Sequence, residues 1–291
     1  MNRLHHHARW IAMLTGALLI AAGGCGEKKG GLSTGAGQSQ KPSAAAAGQA
    51  AASEKPAQKA AAVDLRTAYA WQKRPWTELA QRFNFAESGV GRLPSGWKAA
   101  ATNPKGELAQ WQIVEDSTAA SGKALAITKI NDTSEGVFNL CFSPISDFRN
   151  GNIQIMVKAV SGKIDQGGGL VWRAKDAKNY YVLRYNPLEA NYRLYKVIEG
   201  KRTLLTEAKD IPIPAGKWFT IRVETHGAGI EAFIDGKEVI EADDSSLSEP
   251  GAVGLWTKAD AASAFADVII GKGVVNTRFG VRLETDPPLK R

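Results

Sequence analysis

The chain has 291 residues, 44% of them apolar, with 37 Lys+Arg against 29 Asp+Glu and two cysteines. This length suits one sizeable core with polar sequence outside it, and so few cysteines exclude a disulfide-stapled scaffold. The formal charge of +8 excludes less than its size suggests, because the basic excess lies before residue 83 and after residue 271 while acids slightly outnumber bases in between. A nucleic-acid binder concentrates positive charge on its folded face, so no nucleic-acid partner is expected.

Arg3 and Arg9 precede an apolar run from Trp10 to Ala22, then Gly23, Gly24 and Cys25. This is the layout of a secretory signal, and it falls short of the roughly 20 apolar residues of a spanning helix. The run Leu19-Ile20-Ala21-Ala22-Gly23-Gly24-Cys25 resembles a bacterial lipobox, with Ala22 where leucine is usual. That resemblance implies acylation of Cys25 and a membrane partner held through the N-terminal lipid, in the periplasm or at the cell surface. An ordinary signal peptide cut before Cys25 is the plainer alternative. His5, His6 and His7 fall inside the signal and are not read as a metal site.

Residues 1–24 are therefore expected to be a signal peptide of lipoprotein type, and residues 25–62, rich in Ala, Gly, Ser, Gln and Lys, a flexible tether. Residues 63–82 read as a short helical segment broken near Pro75, with Trp71, Trp76 and Leu79 placed to dock it. From residue 83 the pattern changes to period-two alternation punctuated by Gly, Asn, Asp and Pro, the signature of an all-β domain. Strands are expected near residues 83–86, 111–115, 124–130, 136–142, 152–160, 168–174 and 180–185. Others follow near 192–199, 202–207, 218–225, 229–234, 237–242, 252–257 and 265–270. That many short strands require two stacked sheets. Asp235-Gly236 and Glu199-Gly200 read as hairpin turns. The domain is placed at 83–272, with 273–291 as a C-terminal tail.

Several segments carry a family resemblance: Gly167-Gly168-Gly169-Leu170-Val171-Trp172-Arg173, Asn179-Tyr180-Tyr181-Val182-Leu183-Arg184-Tyr185-Asn186 and Asn191-Tyr192-Arg193-Leu194-Tyr195-Lys196. They continue through Gly200-Lys201-Arg202, Trp218 to Val223, Ile234-Asp235-Gly236-Lys237 and Gly251 to Asp260. Together, over about residues 130–270, they resemble the 3-keto-disaccharide hydrolase domain family of the concanavalin A-like lectin/glucanase superfamily. The resemblance implies a two-sheet jelly-roll sandwich and a carbohydrate partner. It further implies chemistry on glucosides oxidised at C3, where a base removes the C2 proton, an electrophile holds the enolate, and hydration follows elimination. No cofactor is required by that chemistry. A structural calcium ion, frequent in the superfamily, is left open.

Strand parity places Arg173, Arg184 and Arg193 on one sheet face, with Tyr180 and Asn186 beside Arg184, and Asn191 and Tyr195 beside Arg193. Arginine and tyrosine supply fixed donors and flat rings for sugar hydroxyls or a developing oxyanion; a solvated outer face of long charged side chains has the same pattern. Glu189, in the turn between the second and third of these strands, is the candidate base. Trp256, Lys258 and Asp260 form a second group, in which lysine can polarise a ketone and tryptophan can stack on a ring; a core tryptophan beside a surface ion pair is the alternative. Cys141, in an alternating apolar run, reads as a small buried hydrophobe. The segment Glu241-Ala242-Asp243-Asp244-Ser245-Ser246 lacks the last acid of the Glu-x-Asp-x-x-Glu pattern of family 16 glucanases. His226 is the one histidine outside the signal, so no histidine-based metal site is expected. Two readings follow: a tethered hydrolase or lyase of 3-keto-glycosides, and a non-catalytic carbohydrate-binding or surface-recognition module.

Overall fold

A computed structural model describes residues 76–277 and 280–283. The expected signal, Cys25, the expected tether and Trp71 lie outside the described residues. Trp76–Leu79 forms one 3-10 turn and β1 (Gln81–Phe83) follows directly, in place of a helix reaching residue 81. The turn packs on a strand near the chain's end, with the Trp76 ring against Gly271.

The strands that follow are β2 (Lys98–Thr102), β3 (Gln110–Glu115), β4 (Lys123–Lys129), β5 (Phe138–Phe142), β6 (Gly151–Ser161), β7 (Gly168–Asp176) and β8 (Asn179–Asn186). Next come β9 (Asn191–Ile198), β10 (Lys201–Ala208), β11 (Trp218–His226), β12 (Gly229–Ile234), β13 (Lys237–Asp243), β14 (Ala252–Lys258) and β15 (Ala262–Lys272). Within the stretch expected as a tail, β16 (Val274–Thr277) and β17 (Gly280–Leu283) pair as a hairpin. Asp235-Gly236 and Glu199-Gly200 make the expected tight turns, all four residues with φ between 47° and 80°. β2 was not expected from the sequence: Lys-Ala-Ala-Ala-Thr has little of the β-branched or aromatic character that marks strands.

Two antiparallel sheets result. The front sheet runs β10-β9-β8-β7-β14-β5-β2, and the back sheet runs β13-β12-β11-β6-β15-β4-β3, with β1 also on β15. Partners such as β6 with β15 and β5 with β14 are far apart in sequence, so the chain alternates between layers as it winds inward. This is a two-sheet antiparallel β-sandwich of jelly-roll type. Inward residues of both sheets, among them Trp172, Tyr181, Leu183, Leu255, Ile155 and Phe265, fill the space between them.

The front sheet also buries much of its outer face. Phe138, Leu140, Val171, Tyr180, Val182, Val197 and Trp256 form a second apolar layer there. The sheet curls far enough that Thr102 Oγ1 at the end of β2 lies 2.7 Å from the Tyr180 hydroxyl on β8, with three strands between them. Asn103 Nδ2 likewise donates to the Gly200 carbonyl in the β9–β10 turn at 3.0 Å. Twist accumulated over successive strands brings one diagonal pair of corners together, and that closure shelters the layer from water.

Candidate functional site

The site lies at the end of β8 away from the Thr102 closure, where β8 turns into β9. Arg184 and Arg193 face each other across this hairpin, as do Asn186 and Asn191. Asn186 Oδ1 accepts the Leu188 N–H at 2.9 Å and Ala190 takes φ 47°, which together fold residues 187–190 over the hairpin end. The turn brings Glu189 between the two arginines. Its Oε2 accepts from Arg184 Nη2 at 2.9 Å, Arg193 Nη1 at 3.0 Å and Asn191 Nδ2 at 2.9 Å.

Arg184 is 1% exposed, whereas the Glu189 side chain is 45% exposed. Burial alone pushes the Glu189 pKa up, but the hydrogen bonds of Arg184 and Asn191 and the charges of both arginines outweigh it and hold the carboxyl below its usual range. Glu189 is thus a fixed anion with Oε1 still open as an acceptor. Arg184 also donates to Asn191 Oδ1 at 2.7 Å and approaches the Tyr195 hydroxyl at 3.4 Å, while its Nε is buried without an acceptor. Arg193 bonds Glu207 at 2.7 Å as well.

Arg202, on the edge strand β10, is a site residue that strand parity did not single out. Its guanidinium lies 4.4 Å from the centre of the Tyr195 ring, 5.1 Å from Phe138 and 5.8 Å from Trp256. It makes no hydrogen bond or ion pair among the described residues, and its Nη1 is buried. Phe138 lies on β5 with four strands between it and β10, so only the curl of the sheet places it here. In sequence Arg202 stands out only as the end of the Gly200-Lys201-Arg202 segment of the family resemblance, which attached no role to it.

Lys258 stands on the same face of β14 as Trp256 and donates to Asp165 Oδ2 at 3.0 Å. Asp165, another residue the sequence reading missed, also accepts from Asn186 at 3.1 Å. Asp260 is not a ligand-facing group: its carboxylate accepts the backbone N–H of Lys163, Ile164 and Asp165 at 2.7–3.1 Å and so holds the loop that delivers Asp165. Trp256 is 1% exposed, packs on Phe138 at 5.4 Å and floors the site, which removes the expected stacking platform. Tyr180, fully buried and bonded to Thr102, belongs to the closure.

Arg173 corrects the sequence reading. A register shift between Trp172 and Asp176, with Arg173 at φ 47°, breaks the alternation of β7 and turns this side chain away from Arg184. It is buried and donates to the Arg149, Leu247 and Gly227 carbonyls, Asn150 Oδ1 and Thr225 Oγ1, pinning three loops together. Cys141 is fully buried in the core, and burial pushes its thiol well above the ordinary range. Among the described residues no three His, Cys, Asp or Glu side chains converge as metal ligands.

The arrangement can do three things: accept hydroxyl protons at Glu189 Oε1, donate from Arg193 and Arg202, and present the exposed apolar side chains of Leu188 and Ile164 beside the two acidic residues they adjoin. It is an open face. Two hollows lie on the back sheet, one of about 430 Å³ among Val114, Asp116, Lys158 and Val160, and one of about 230 Å³ beside the Arg82–Asp267 pair.

No family model matches the chain. A stretch of 104 residues is 33% identical to the levanase of Bacillus subtilis (strain 168). The stretch makes up 35% of this chain and 15% of that enzyme, so the chain matches only a small part of its relative. Among solved structures the chain is similar to the carbohydrate binding module CBM66 from Bacillus subtilis, at 24% identity over 60% of this chain and 93% of that one, with a TM-score of 0.47. It is also similar to the Bacillus licheniformis beta-glucanase, at 12% identity over 66% and 98% of the two chains, with a TM-score of 0.45.

Proposed function

We propose that this protein binds carbohydrate on the outer face of its front sheet, at the turn between β8 and β9. The observation that carries the reading is Glu189, clamped through one oxygen by Arg184, Arg193 and Asn191 with its other oxygen open. A carboxylate acceptor beside guanidinium donors matches adjacent sugar hydroxyls, each of which donates and accepts. Leu188 and Ile164 supply apolar surface for the C–H face of a ring. The partial match to a levanase supports a saccharide as the ligand class. Binding is favoured over turnover because a carboxylate held below its ordinary pKa is a weak proton acceptor, and Lys258 is already committed to Asp165.

The resemblance to 3-keto-disaccharide hydrolase domains supports a second reading, hydrolysis of 3-keto-glycosides. Arg202 is the observation that favours it: its guanidinium is half-buried over the Tyr195 ring and makes no hydrogen bond among the described residues, so its N–H groups other than the buried Nη1 can receive an enolate oxygen while Glu189 takes the neighbouring proton. Export and acylation at Cys25, which would hold the domain at a membrane, complete the proposal; they rest on Arg3, Arg9 and the apolar run before Cys25.

Ligand-observed NMR of the full-length protein with disaccharides, levan oligosaccharides and 3-keto-disaccharides tests both readings. Line broadening that Glu189→Gln abolishes, without new signals, supports binding. New sugar signals from the keto compounds alone establish the hydrolase. No response from any compound removes both.

A further inference from the structure

We infer that the saccharide taken by this face is acidic, a uronic-acid-bearing glycan whose carboxylate seats on the Arg202 guanidinium; the inference rests on the carbohydrate reading above. Four cations surround the site, and three have a carboxylate in contact. Arg184 meets Glu189 at 2.9 Å, Arg193 meets Glu189 at 3.0 Å and Glu207 at 2.7 Å, and Lys258 meets Asp165 at 3.0 Å. Among the described residues Arg202 alone of the four has none, although it is half-buried.

Aromatic faces compensate a cation only in part, and a guanidinium keeps its proton even where burial disfavours the charge. Burial does push the Arg202 pKa down, as expected of a charge held with too little opposite charge around it. In such low-dielectric surroundings an arriving anion gains far more than in water. A planar carboxylate matches the guanidinium edge with two parallel hydrogen bonds, which no single hydroxyl reproduces.

Position selects a sugar acid over a free anion. The Tyr195 ring under Arg202 carries its hydroxyl to within 3.5 Å of Arg193 and 3.4 Å of Arg184, so Arg202 and the Glu189 clamp are adjoining parts of one surface. A carboxylate on Arg202 leaves the hydroxyls of the same or the next residue facing Glu189 Oε1. A neutral glycan fills the second position and leaves the first empty.

The test is calorimetric titration of the full-length protein with uronic-acid disaccharides of gluco, galacto and manno type, each beside its methyl ester and its neutral parent. The free acid of one series is expected to bind at least about ten-fold tighter than its ester and its parent, and to weaken as NaCl is raised. Arg202→Gln is expected to lower the acid to the affinity of its ester and to abolish the salt dependence of acid binding. Should that variant not fold, the acid-to-ester ratio and the salt dependence of the unmodified protein decide. Equal or tighter binding of the neutral sugars overturns the inference and leaves the carbohydrate reading standing; binding of no saccharide overturns both.

Discussion

Arg184 and Arg193 stand directly opposite one another on β8 and β9, and a single oxygen of Glu189 lies within 3.0 Å of both. Like charges at a directly opposed cross-strand position repel. The hairpin is tolerable here because its own turn supplies the bridging anion. Glu189→Gln is therefore expected to lower stability by about 1–2 kcal/mol, the half-open position of the carboxylate limiting the loss. Thermal unfolding measures this, and saccharide affinity is expected to fall about ten-fold in the same variant. A variant as stable as the parent would show that the two arginines do not depend on Glu189.

Arg173 and Arg184 separate the structural arginine from the site arginine. Arg173→Met strands carbonyls in three loops and is expected to cost about 3–5 kcal/mol. Saccharide affinity of the molecules that remain folded is expected to be unchanged. Denaturant titration followed by binding below the transition checks both halves, and a loss of affinity in the folded protein would return Arg173 to the site.

Gly169 pairs with Arg184 on one side and Trp256 on the other. A Cβ there would stand 1.8 Å from the Leu183 carbonyl oxygen. Gly169→Ala is expected to destabilise by about 1–3 kcal/mol through strand displacement. Urea titration reads the change, and a neutral result would mean that β7 and β8 can separate without cost.

Asp244 gives the acid limb of stability. Burial raises its pKa, but Lys196 at 2.8 Å, the Tyr181 hydroxyl at 2.6 Å and the Ser246 N–H outweigh that and take it to about 2, from 3.8. A depressed carboxyl contributes stability that is present above its unfolded pKa and lost as pH falls through the folded one. Asp244→Asn is thus expected to flatten the stability profile between about pH 4 and pH 2, by roughly 1 kcal/mol after allowance for solvent screening. Unfolding curves across that range show it, and an unchanged slope would assign acid sensitivity elsewhere.

On the back sheet Glu224, Glu231 and Glu241 form one cross-strand row. Burial and then Glu224, Glu238 and Glu241 raise the Glu231 pKa. A raised carboxyl in the folded state binds its proton more tightly than the unfolded chain does. Stability from this group therefore falls as pH rises through the window between the two values. Glu231→Gln is expected to stabilise at pH 7 by a few tenths of a kcal/mol and to be neutral below about pH 4. Parallel melts at the two pH values check the sign.

Alternation and turn chemistry made most of the sheet legible in sequence: the strand from Asn152 to Val160, the Asp235-Gly236 turn and the Arg184/Arg193 pairing all follow local rules. The departures have physical causes. Arg173 left its predicted face because a bulge in β7 breaks the parity on which that prediction depends. β2 was hidden by its alanines, and its pairing with β5 supplies what local propensity lacks. Arg202 and the Phe138 ring beside it belong to strands joined only by the curl of a seven-stranded sheet, a property of accumulated twist that no window of sequence carries.

The most direct test of the account is a crystal structure of the protein soaked with the tightest-binding disaccharide of the panel. The sugar is expected on the front sheet with a hydroxyl on Glu189 Oε1 and Arg202 in contact. A sugar seated instead in the back-sheet hollow between Val114 and Val160 would contradict it.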